Sequence, residues 1–481
     1  MKKIFFLLTF FSLLSTLSLL LAEPTNYTYN YDFWFEQVAS PDAYYVSAFI
    51  LGDALGAGHF RDPQGLFIRD NRIYVCDSGN NRIVKITAQE NGEHIVDAVV
   101  SFVIIDGEES NLSYPMDIFE NRDGDLYIAD TNNNRVLMLD NNWNFKSAIY
   151  KPYDESMNEF TEFIPVKLVV DFANRLFVQA RNVNKGLMEF NNRGEFSGYM
   201  GANKVQVNPF DYIWKLLATQ AQRERMDLFI PTEYSNLTID NDGFIYVTNS
   251  IGQTDPVRRL NAMGQDILIR NGYEDPMGDF VYYDAGGILG RSRFIDVVSF
   301  NNDSYACFDR TRGRIFLYDF QGNLLYAFGG IGSREGSFIQ PVAMDRSGDS
   351  LYALDSRTAA LTRFDLTRYG ALINLALNEY RAGRYETSAS VWEEVLKMNG
   401  NYDLAYIGIG RAALRQGDYK KAMKYYKLKH YQEGYGKAFQ LYRKQWMEDN
   451  LWKILLILLI TLFLPPLIKI SLKTIKEIKE V

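Results

Sequence analysis

The feature that most constrains the fold is a short sequence that recurs, nearly unchanged, after 53 residues. Residues 73–86 read IYVCDSGNNRIVKI, and residues 126–139 read LYIADTNNNRVLML. Each copy consists of two β-rich runs joined by a turn rich in Asp, Asn and Gly, and a single unit of this kind leaves an apolar face unburied. A repeat of this length therefore predicts a propeller, a solenoid or another array of stacked units.

Weaker copies of the unit continue along the chain, and their turns align at Asp77, Asp130, Ala180, Asn249, Asp309 and Asp355. A further β-rich run precedes each copy, so four strands per unit and six units predict an all-β, six-bladed propeller over residues 45–366. The run Val46–Leu51 has no blade of its own, and we expect it to complete the sixth blade. The segment Asp211–Met226 has helical periodicity and is interpreted as an insertion on one face.

The turn motif Asp-(Ser/Thr)-x-Asn-x-Arg-(Ile/Val) resembles the NHL repeat family of β-propellers. The residues that carry the resemblance are Asp77, Asn80 and Arg82 in the first unit, Asp130, Asn133 and Arg135 in the second, and Asp309 and Arg314 in the fifth. The other units depart from the motif, since Gly186, Pro256 and Ala360 stand where Arg is expected. The resemblance implies the propeller fold, but it does not transfer the chemistry of any single blade.

The repeated turn residues can be interpreted in two ways. A residue required in every blade is usually structural, so we interpret Asp77, Arg82, Asp130, Arg135, Asp309, Arg314 and Asp355 as turn residues. In this interpretation the Asp accepts turn N–H groups and the Arg pairs with the neighbouring blade. Alternatively, these residues line a central channel and bind a polar ligand or cation. Residues that break the repeat are better candidates for binding on the propeller face, namely Arg181, Asn249, Arg258 and Arg259.

After the propeller the period changes to 34 residues: Gly383, Tyr385 and Trp392 align with Gly417, Tyr419 and Tyr426. This pattern resembles the tetratricopeptide (TPR) repeat and predicts a small all-α array over residues 367–449. In that family partners contact the first helix of each repeat. The candidate groove residues on these helices are Asn374, Asn378, Arg381, Arg411, Arg415 and Gln416. The alternative is that these residues are solvated polar positions on short helices.

Both ends of the chain are apolar. Residues 1–22 carry Lys2 and Lys3 before an apolar run and are predicted to be a secretory signal peptide. The run Leu451–Ile468 spans roughly 27 Å as a helix, so residues 450–469 are predicted to cross a membrane. The tail 470–481 is net basic and is expected in the cytoplasm, with the bulk of the chain extracytoplasmic and the protein a single-pass cell-membrane protein.

Two further features bear on binding partners. The aromatic-rich segment 23–44 contains NYTYNYDFWF, which could stack on sugars, dock across a propeller face or pack on its own domain. The net charge of −8 argues against a nucleic-acid partner. Cys76 and Cys307 are interpreted as packed apolar residues rather than a disulfide.

The function predicted from these observations is that of a membrane-tethered scaffold in a bacterial cell-envelope or transporter assembly. It would bind a protein partner, and recognition of a glycan stays open. No catalytic residue, metal or cofactor is assigned. The three His of the chain do not supply a zinc site of the kind found in propeller lyases. An alternative stays open, in which the propeller is a hydrolase or lactonase with one Ca²⁺ in its channel.

Overall fold

The computed structural model describes residues 28–89, 92–153, 162–201, 233–249, 255–272, 274–280, 282–284 and 287–479. The predicted signal peptide and the predicted helical insertion Asp211–Met226 lie outside the described residues. The chain divides into two units, Met1–Ala371 and Leu372–Val481.

The first unit is a six-bladed β-propeller, as the sequence predicts. Blades 1 to 3 are four-stranded antiparallel sheets, and their second and third strands are the repeated sequence. Blade 1 consists of Gly65–Arg69, Arg72–Asp77, Arg82–Ala88 and His94–Val100. Blade 2 consists of Pro115–Glu120, Leu126–Asp130, Arg135–Leu139 and Phe145–Ile149. Blade 3 consists of Ile164–Val170, Leu176–Arg181, Leu187–Phe190 and Phe196–Met200.

Blades 4 to 6 are less uniform. Blade 4 has three described strands, Asn236–Ile239, Ile245–Thr248 and Val257–Leu260. Blade 5 has Phe294–Ser299, Tyr305–Asp309, Arg314–Tyr318 and Leu324–Gly329, extended by Tyr29–Tyr31 and Gln37–Ala39. Blade 6 has Pro341–Ser347, Ser350–Asp355, Ala360–Leu366 and Tyr44–Leu51. Two hairpins lie between blades, Phe102–Ile105 with Glu108–Asn111 and Tyr282–Asp284 with Gly287–Leu289.

Ring closure follows the predicted route. The strand Tyr44–Leu51 pairs antiparallel with Ala360–Leu366, so that Ile50 faces Leu361. The last blade therefore takes its outer strand from the N-terminal part of the chain, which confirms the prediction for residues 46–51. This pairing covers a strand edge that would otherwise present unpaired N–H and C=O groups.

The aromatic-rich N-terminal segment packs on its own domain. Its strand Tyr29–Tyr31 joins the outer edge of blade 5, where Tyr29 faces Ala327. Tyr29 is 1% exposed, whereas Trp34 and Phe35 in the following turn are exposed. Of the three interpretations offered for this segment, packing on the propeller accounts for its described strands.

The second unit is built around helices. In the described residues these are α1 (Arg368–Arg381), α2 (Tyr385–Met398), α3 (Asp403–Gln416), α4 (Tyr419–Leu428) and α5 (Gln432–Lys479), α1 beginning in the first unit. The small residues of the repeat let helices approach closely, because a Cβ on Gly410 would lie 2.7 Å from the Tyr426 ring. Helix α3 ends at Gly417, whose φ of 82° is the left-handed conformation that glycine adopts without strain.

Helix α5 contains the C-terminal apolar run. It is long and apolar enough over Gln432–Lys476 to cross a membrane, and none of its apolar window is buried inside the protein. A core helix of a soluble protein can be equally apolar, but it would be mostly buried, which this window is not. Pro465 and Pro466 lie within the helix, which continues through them to Lys479.

Candidate functional site

The turns of blades 1 and 2 are closed by the same local set of hydrogen bonds. In blade 2 the Asp130 carboxylate accepts from the Ser113 backbone N–H at 2.8 Å, from Asn133 Nδ2 at 2.8 Å and from Arg135 Nε at 2.7 Å. Blade 1 repeats this with Asp77, where Arg82 Nε donates at 2.7 Å. Both aspartates are fully buried.

The arginines of these turns bind differently from the prediction. We expected each Arg to pair with the neighbouring blade, but Arg82 and Arg135 pair with the Asp of their own blade. Their remaining donors reach the chain that leads into that blade: Arg135 Nη2 contacts Ser110 Oγ at 2.9 Å. These contacts of both arginines thus lie within their own blade and the segment that leads into it.

In blades 5 and 6 the aligned Asp is not paired with an Arg at the motif position. Asp309 accepts from the backbone N–H groups of Arg293 at 2.7 Å and Thr311 at 2.9 Å, while Arg314 donates to the Tyr29 hydroxyl at 3.0 Å. Asp355 accepts from four backbone N–H groups, those of Ile339, Gln340, Arg357 and Thr358. The Asp is thus a turn acceptor in each of these four blades, and the role of the Arg varies.

The four candidates in the degenerate blades lie in different environments. Arg181 ends a strand of blade 3 and is exposed, whereas Asn249 is buried, with its backbone N–H on the Pro256 carbonyl at 2.8 Å. Arg258 is buried and lies 3.5 Å from Asp255. Arg259 binds Asp240 of its own blade and Asp303, which lies between strands of blade 5, at 3.2 Å. The contacts of Arg259 are those of a side chain that ties two blades together.

The central channel contains charged residues that the sequence did not single out. Its cavity of about 310 Å³ is lined by the innermost strands of all six blades. Asp117, Asp296 and Asp345 each accept a backbone N–H from the next blade, and the donors are Leu168 at 2.9 Å, Met344 at 2.7 Å and Ile68 at 2.6 Å. An innermost strand has no further strand on its channel side, so these carboxylates satisfy N–H groups that no ladder reaches.

Burial makes these carboxyl groups weaker acids than exposed aspartates. It raises the pKa of Asp296 to about 7 and that of Asp345 to about 7. Burial also raises the pKa of Asp117, although Lys167 Nζ lies 3.5 Å away and opposes the shift. In the described lining of the channel, the buried ammonium group of Lys167 thus lies among three carboxyl groups that bind their protons more tightly than usual.

The structure also bears on the calcium alternative. A Ca²⁺ site needs several oxygen ligands that converge on one point. Over the residues that the structure describes, no group of three His, Cys, Asp or Glu side chains is placed to hold a metal ion. At one mouth of the channel, the Arg69 guanidinium lies over the rings of Phe67 at 5.7 Å and Phe119 at 5.9 Å.

The tetratricopeptide candidates separate into two groups. Asn374 is 5% exposed, so it cannot line an open groove as expected; it lies beside Ile373 and Leu377 on the buried face of α1. Within the described residues, its Oδ1 atom has no hydrogen-bond partner. Asn378, Arg381, Arg415 and Gln416 are exposed, and Arg411 is half-buried.

Two of these arginines meet on a residue that the sequence analysis missed. The Arg411 guanidinium lies 5.9 Å from the centre of the Tyr380 ring, and Arg415 Nε lies 3.5 Å from the Tyr380 hydroxyl. Tyr380 is on α1 and both arginines are on α3, so the patch joins the two repeats. We call Tyr380, Arg411 and Arg415 the aromatic–basic patch. The sequence signal was an aromatic residue near the end of the first repeat helix, one turn before the aligned Gly383.

Comparisons with known proteins agree with both repeat types. The model of the NHL repeat matches residues 60–86, and a tetratricopeptide repeat model matches residues 373–429. No curated protein matches the chain.

Solved structures with a similar arrangement include a streptogramin B lyase, at TM-score 0.42 and 11% identity, covering 68% of this chain and 100% of that one. Virginiamycin B lyase from Staphylococcus aureus has a TM-score of 0.40 at 13% identity and covers 67% of this chain and 100% of that one. The structure of U3-55K has a TM-score of 0.42 at 10% identity and covers 67% of this chain and 98% of that one.

The assignment of the fold depends on the strand pairing and on the two repeat models rather than on these structures. The six-bladed ring contains the matched NHL repeat in its first blade, and the matched helices follow the ring. The chain is a six-bladed β-propeller that contains an NHL repeat, followed by helices that match the tetratricopeptide repeat.

Proposed function

We propose that this protein is a membrane-tethered scaffold that binds an acidic segment of a partner protein on its tetratricopeptide repeats. The observation that carries the proposal is the aromatic–basic patch, in which Arg411 and Arg415 from one repeat meet Tyr380 from the other. The repeat array continues into α5, the helix that is long and apolar enough to cross a membrane. Propeller and repeats are both folds that serve protein recognition, and this combination supports a scaffold.

The chemistry of the patch favours a carboxylate ligand. A guanidinium group has five N–H donors, and the Tyr380 hydroxyl takes one donor of Arg415. The ring of Tyr380 stabilises the Arg411 cation by a cation–π contact without neutralising it. Two arginines four residues apart on one helix can therefore bind the carboxylates of an acidic segment in bidentate geometry.

The test reverses the charge of the patch in the full-length protein. A photo-crosslinking residue at exposed Gln416 would capture partners in intact membranes, in the wild type and in Arg411→Glu with Arg415→Glu. The crosslinked partner should disappear in the double variant, because the carboxylates would then face like charges. Arg443→Glu is the matched control, since Arg443 is an exposed arginine on α5, outside the patch. A partner that persists in the double variant would place the interaction elsewhere, with the propeller face as the next surface to test.

We also propose that the propeller and repeats lie outside the cell and the tail inside. The support is the basic character of the segment after the apolar run, which includes Lys469, Lys473, Lys476 and Lys479. Both native cysteines are buried, so introduced cysteines can be labelled without background.

The orientation is tested with two single-cysteine variants. Met263→Cys, at a side chain that is 75% exposed on blade 4, should react in intact cells with a maleimide that cannot cross the membrane. Lys473→Cys should react only after the cells are lysed. The reverse pattern would contradict the orientation and leave the scaffold proposal to be judged by the crosslinking result.

A further inference from the structure

A second cavity lies where the ring closes, between blade 6 and blade 1. It has a volume of about 1030 Å³, and its lining includes Ser47, Asn71, Gln89, Ser350, Arg363 and Asp365. These residues come from the closing strand, from turns of blade 1 and from the outer half of blade 6. The cavity therefore belongs to the closure of the ring, and Ser347 lines both this cavity and the central channel.

Other junctions between blades are crossed by charged hydrogen bonds. Between blades 1 and 2, Arg72 Nη2 and the Tyr74 hydroxyl both donate to Glu120 at 2.8 Å. Between blades 4 and 5, Arg259 reaches Asp303 at 3.2 Å. An acidic residue of the following blade thus closes the gap at each of these two junctions.

In the part of the chain that the structure describes, the junction between blades 6 and 1 has no acid at the position of Glu120. Glu120 faces Leu126 in its sheet, and the residue that faces the aligned Ile73 in blade 1 is Ile68. Arg363 of blade 6, which faces Tyr352 as Arg259 faces Tyr246, turns back to Asp365 of its own strand at 2.9 Å. Among the described residues, no side chain of blade 1 forms an ion pair with Arg363, and the space between the two blades stays open.

The polar groups of this cavity balance in charge. Hydrogen bonds from Ser350, Ser47 and Arg363 outweigh the opposing effect of burial and lower the pKa of Asp365, so it is ionised beside the Arg363 cation. His94 lies edge-on to Tyr352 at 6.3 Å, and burial together with Arg363 lowers the pKa of this histidine. The His94 imidazole is therefore neutral at pH 7, and among the described residues that line the cavity the Arg363–Asp365 pair leaves no unpaired charge.

We propose that this cavity binds an uncharged sugar. A sugar ring carries hydroxyl groups that both donate and accept, and the cavity offers both kinds of partner: amides at Asn71 and Gln89, hydroxyls at Ser47 and Ser350, and the Arg363–Asp365 pair. A charged ligand would need a free counter-charge, which the closed ion pair does not supply. The volume lies at the upper end of the range of small-molecule sites, which suits one or more sugar rings. The inference is independent of the repeat-bound partner, and it assigns the glycan recognition to a place in the propeller.

The experiment uses the full-length protein in detergent micelles and saturation-transfer NMR with three probes: glucose, N-acetylglucosamine and glucuronate. At least one of the two neutral sugars should receive saturation, and glucuronate should bind more weakly. Asp365→Asn removes one charged hydrogen-bond partner and should weaken the neutral sugar about tenfold. Ser47→Trp, at an exposed position on the rim, should block entry without disturbing the core.

The matched control is Asp242→Asn, which alters an exposed Asp that also contacts an arginine, at 3.3 Å on blade 4. It should bind the sugar as the wild type does. Circular dichroism would show that each variant is folded, and Ser47→Trp tests the site even if Asp365→Asn is unstable. The proposal is overturned if neither neutral sugar binds, if glucuronate binds best, or if Ser47→Trp and Asp365→Asn both bind like the control.

Discussion

Blades 2 and 5 share the same turn motif residues but use them in different ways. In blade 2, Asp130 and Arg135 bind each other at 2.7 Å, and the arginine is 6% exposed. In blade 5, Asp309 accepts backbone N–H groups of its turn. Arg314 does not pair with it and binds Asp279 and Tyr29 instead. The difference arises because the N-terminal strand Tyr29–Tyr31 is added to blade 5 and not to blade 2.

Asp279 organises the blade 5 arrangement. It is 2% exposed and accepts from the hydroxyls of Tyr29 at 2.7 Å and Tyr31 at 2.6 Å, and Arg312 Nε lies 3.4 Å away. A carboxylate outside the repeat has thus recruited the repeat arginine. A residue that recurs in the repeats of this chain therefore specifies a strand and a turn. Its side-chain contacts depend on what packs against that blade.

The largest expected effect comes from removing the buried acid of the regular turn. Asp130→Ala would leave Arg135 buried without its partner and would orphan the Ser113 N–H, which should lower the free energy of unfolding by about 3–5 kcal/mol. Thermal unfolding of the full-length protein measures the loss. Asp125→Ala, which breaks the partly exposed pair with Lys146, is the control and should cost less than about 1 kcal/mol. Equal losses in the two variants would mean that the turn network contributes no more than a surface ion pair.

The next effect separates the two uses of the arginine. Arg314→Ala should lower the free energy of unfolding by about 1–3 kcal/mol and also loosen the N-terminal strand, because Asp279 loses a charged partner. Arg135→Ala should cost a similar amount and leave that strand unaffected. Hydrogen exchange of residues 28–39 distinguishes them. If both variants accelerate exchange there, blade 5 does not differ from blade 2 in the way described.

The sequence predicted what the repeats dictate and missed what irregular segments add. The period predicted the blades, the closing strand near residues 46–51 and the helices after residue 366. Asp279 could not be predicted as a site, because it lies between blades in a stretch without period. The channel acids such as Asp117 were missed because their partners are backbone N–H groups of another blade, and such contacts depend on register. Asn374 was misplaced because its polarity suggested a groove, whereas the packed face of α1 includes it.

A smaller effect tests the N-terminal contact itself. Tyr29→Phe removes the hydroxyl that donates to Asp279 and should cost about 1 kcal/mol, since ring burial is retained. Burial, with Asp279 adding to it, raises the pKa of Tyr29, so the hydroxyl stays protonated and acts as the donor at any pH used for the measurement. Tyr31→Phe is the matched variant: Tyr31 donates to the same carboxylate but is half-buried, so water can replace its hydroxyl at lower cost. If urea unfolding showed a larger loss of stability in Tyr31→Phe than in Tyr29→Phe, Tyr29 would not be the anchor of the strand.

The last effect is expected in the channel, and there its pH dependence carries the information. Burial raises the pKa of Asp296 to about 7, above the value near 3.8 expected in the unfolded chain. Between these two values the folded protein binds more protons at this site than the unfolded one, so the contribution of Asp296 to stability falls as pH rises from about 4 to 7 and is level above that.

Asp296→Asn removes the titrating group but keeps an oxygen that can accept the Met344 N–H. The variant should be about as stable as the wild type at pH 3 and more stable than it at pH 8, with a flatter profile between. Asp130→Asn is the comparison, because it alters an equally buried aspartate that is paired with an arginine and should lose stability at both pH values. Parallel profiles for Asp296→Asn and the wild type would show that Asp296 titrates as an ordinary carboxylate, and the contrast between channel and turn aspartates would then not hold.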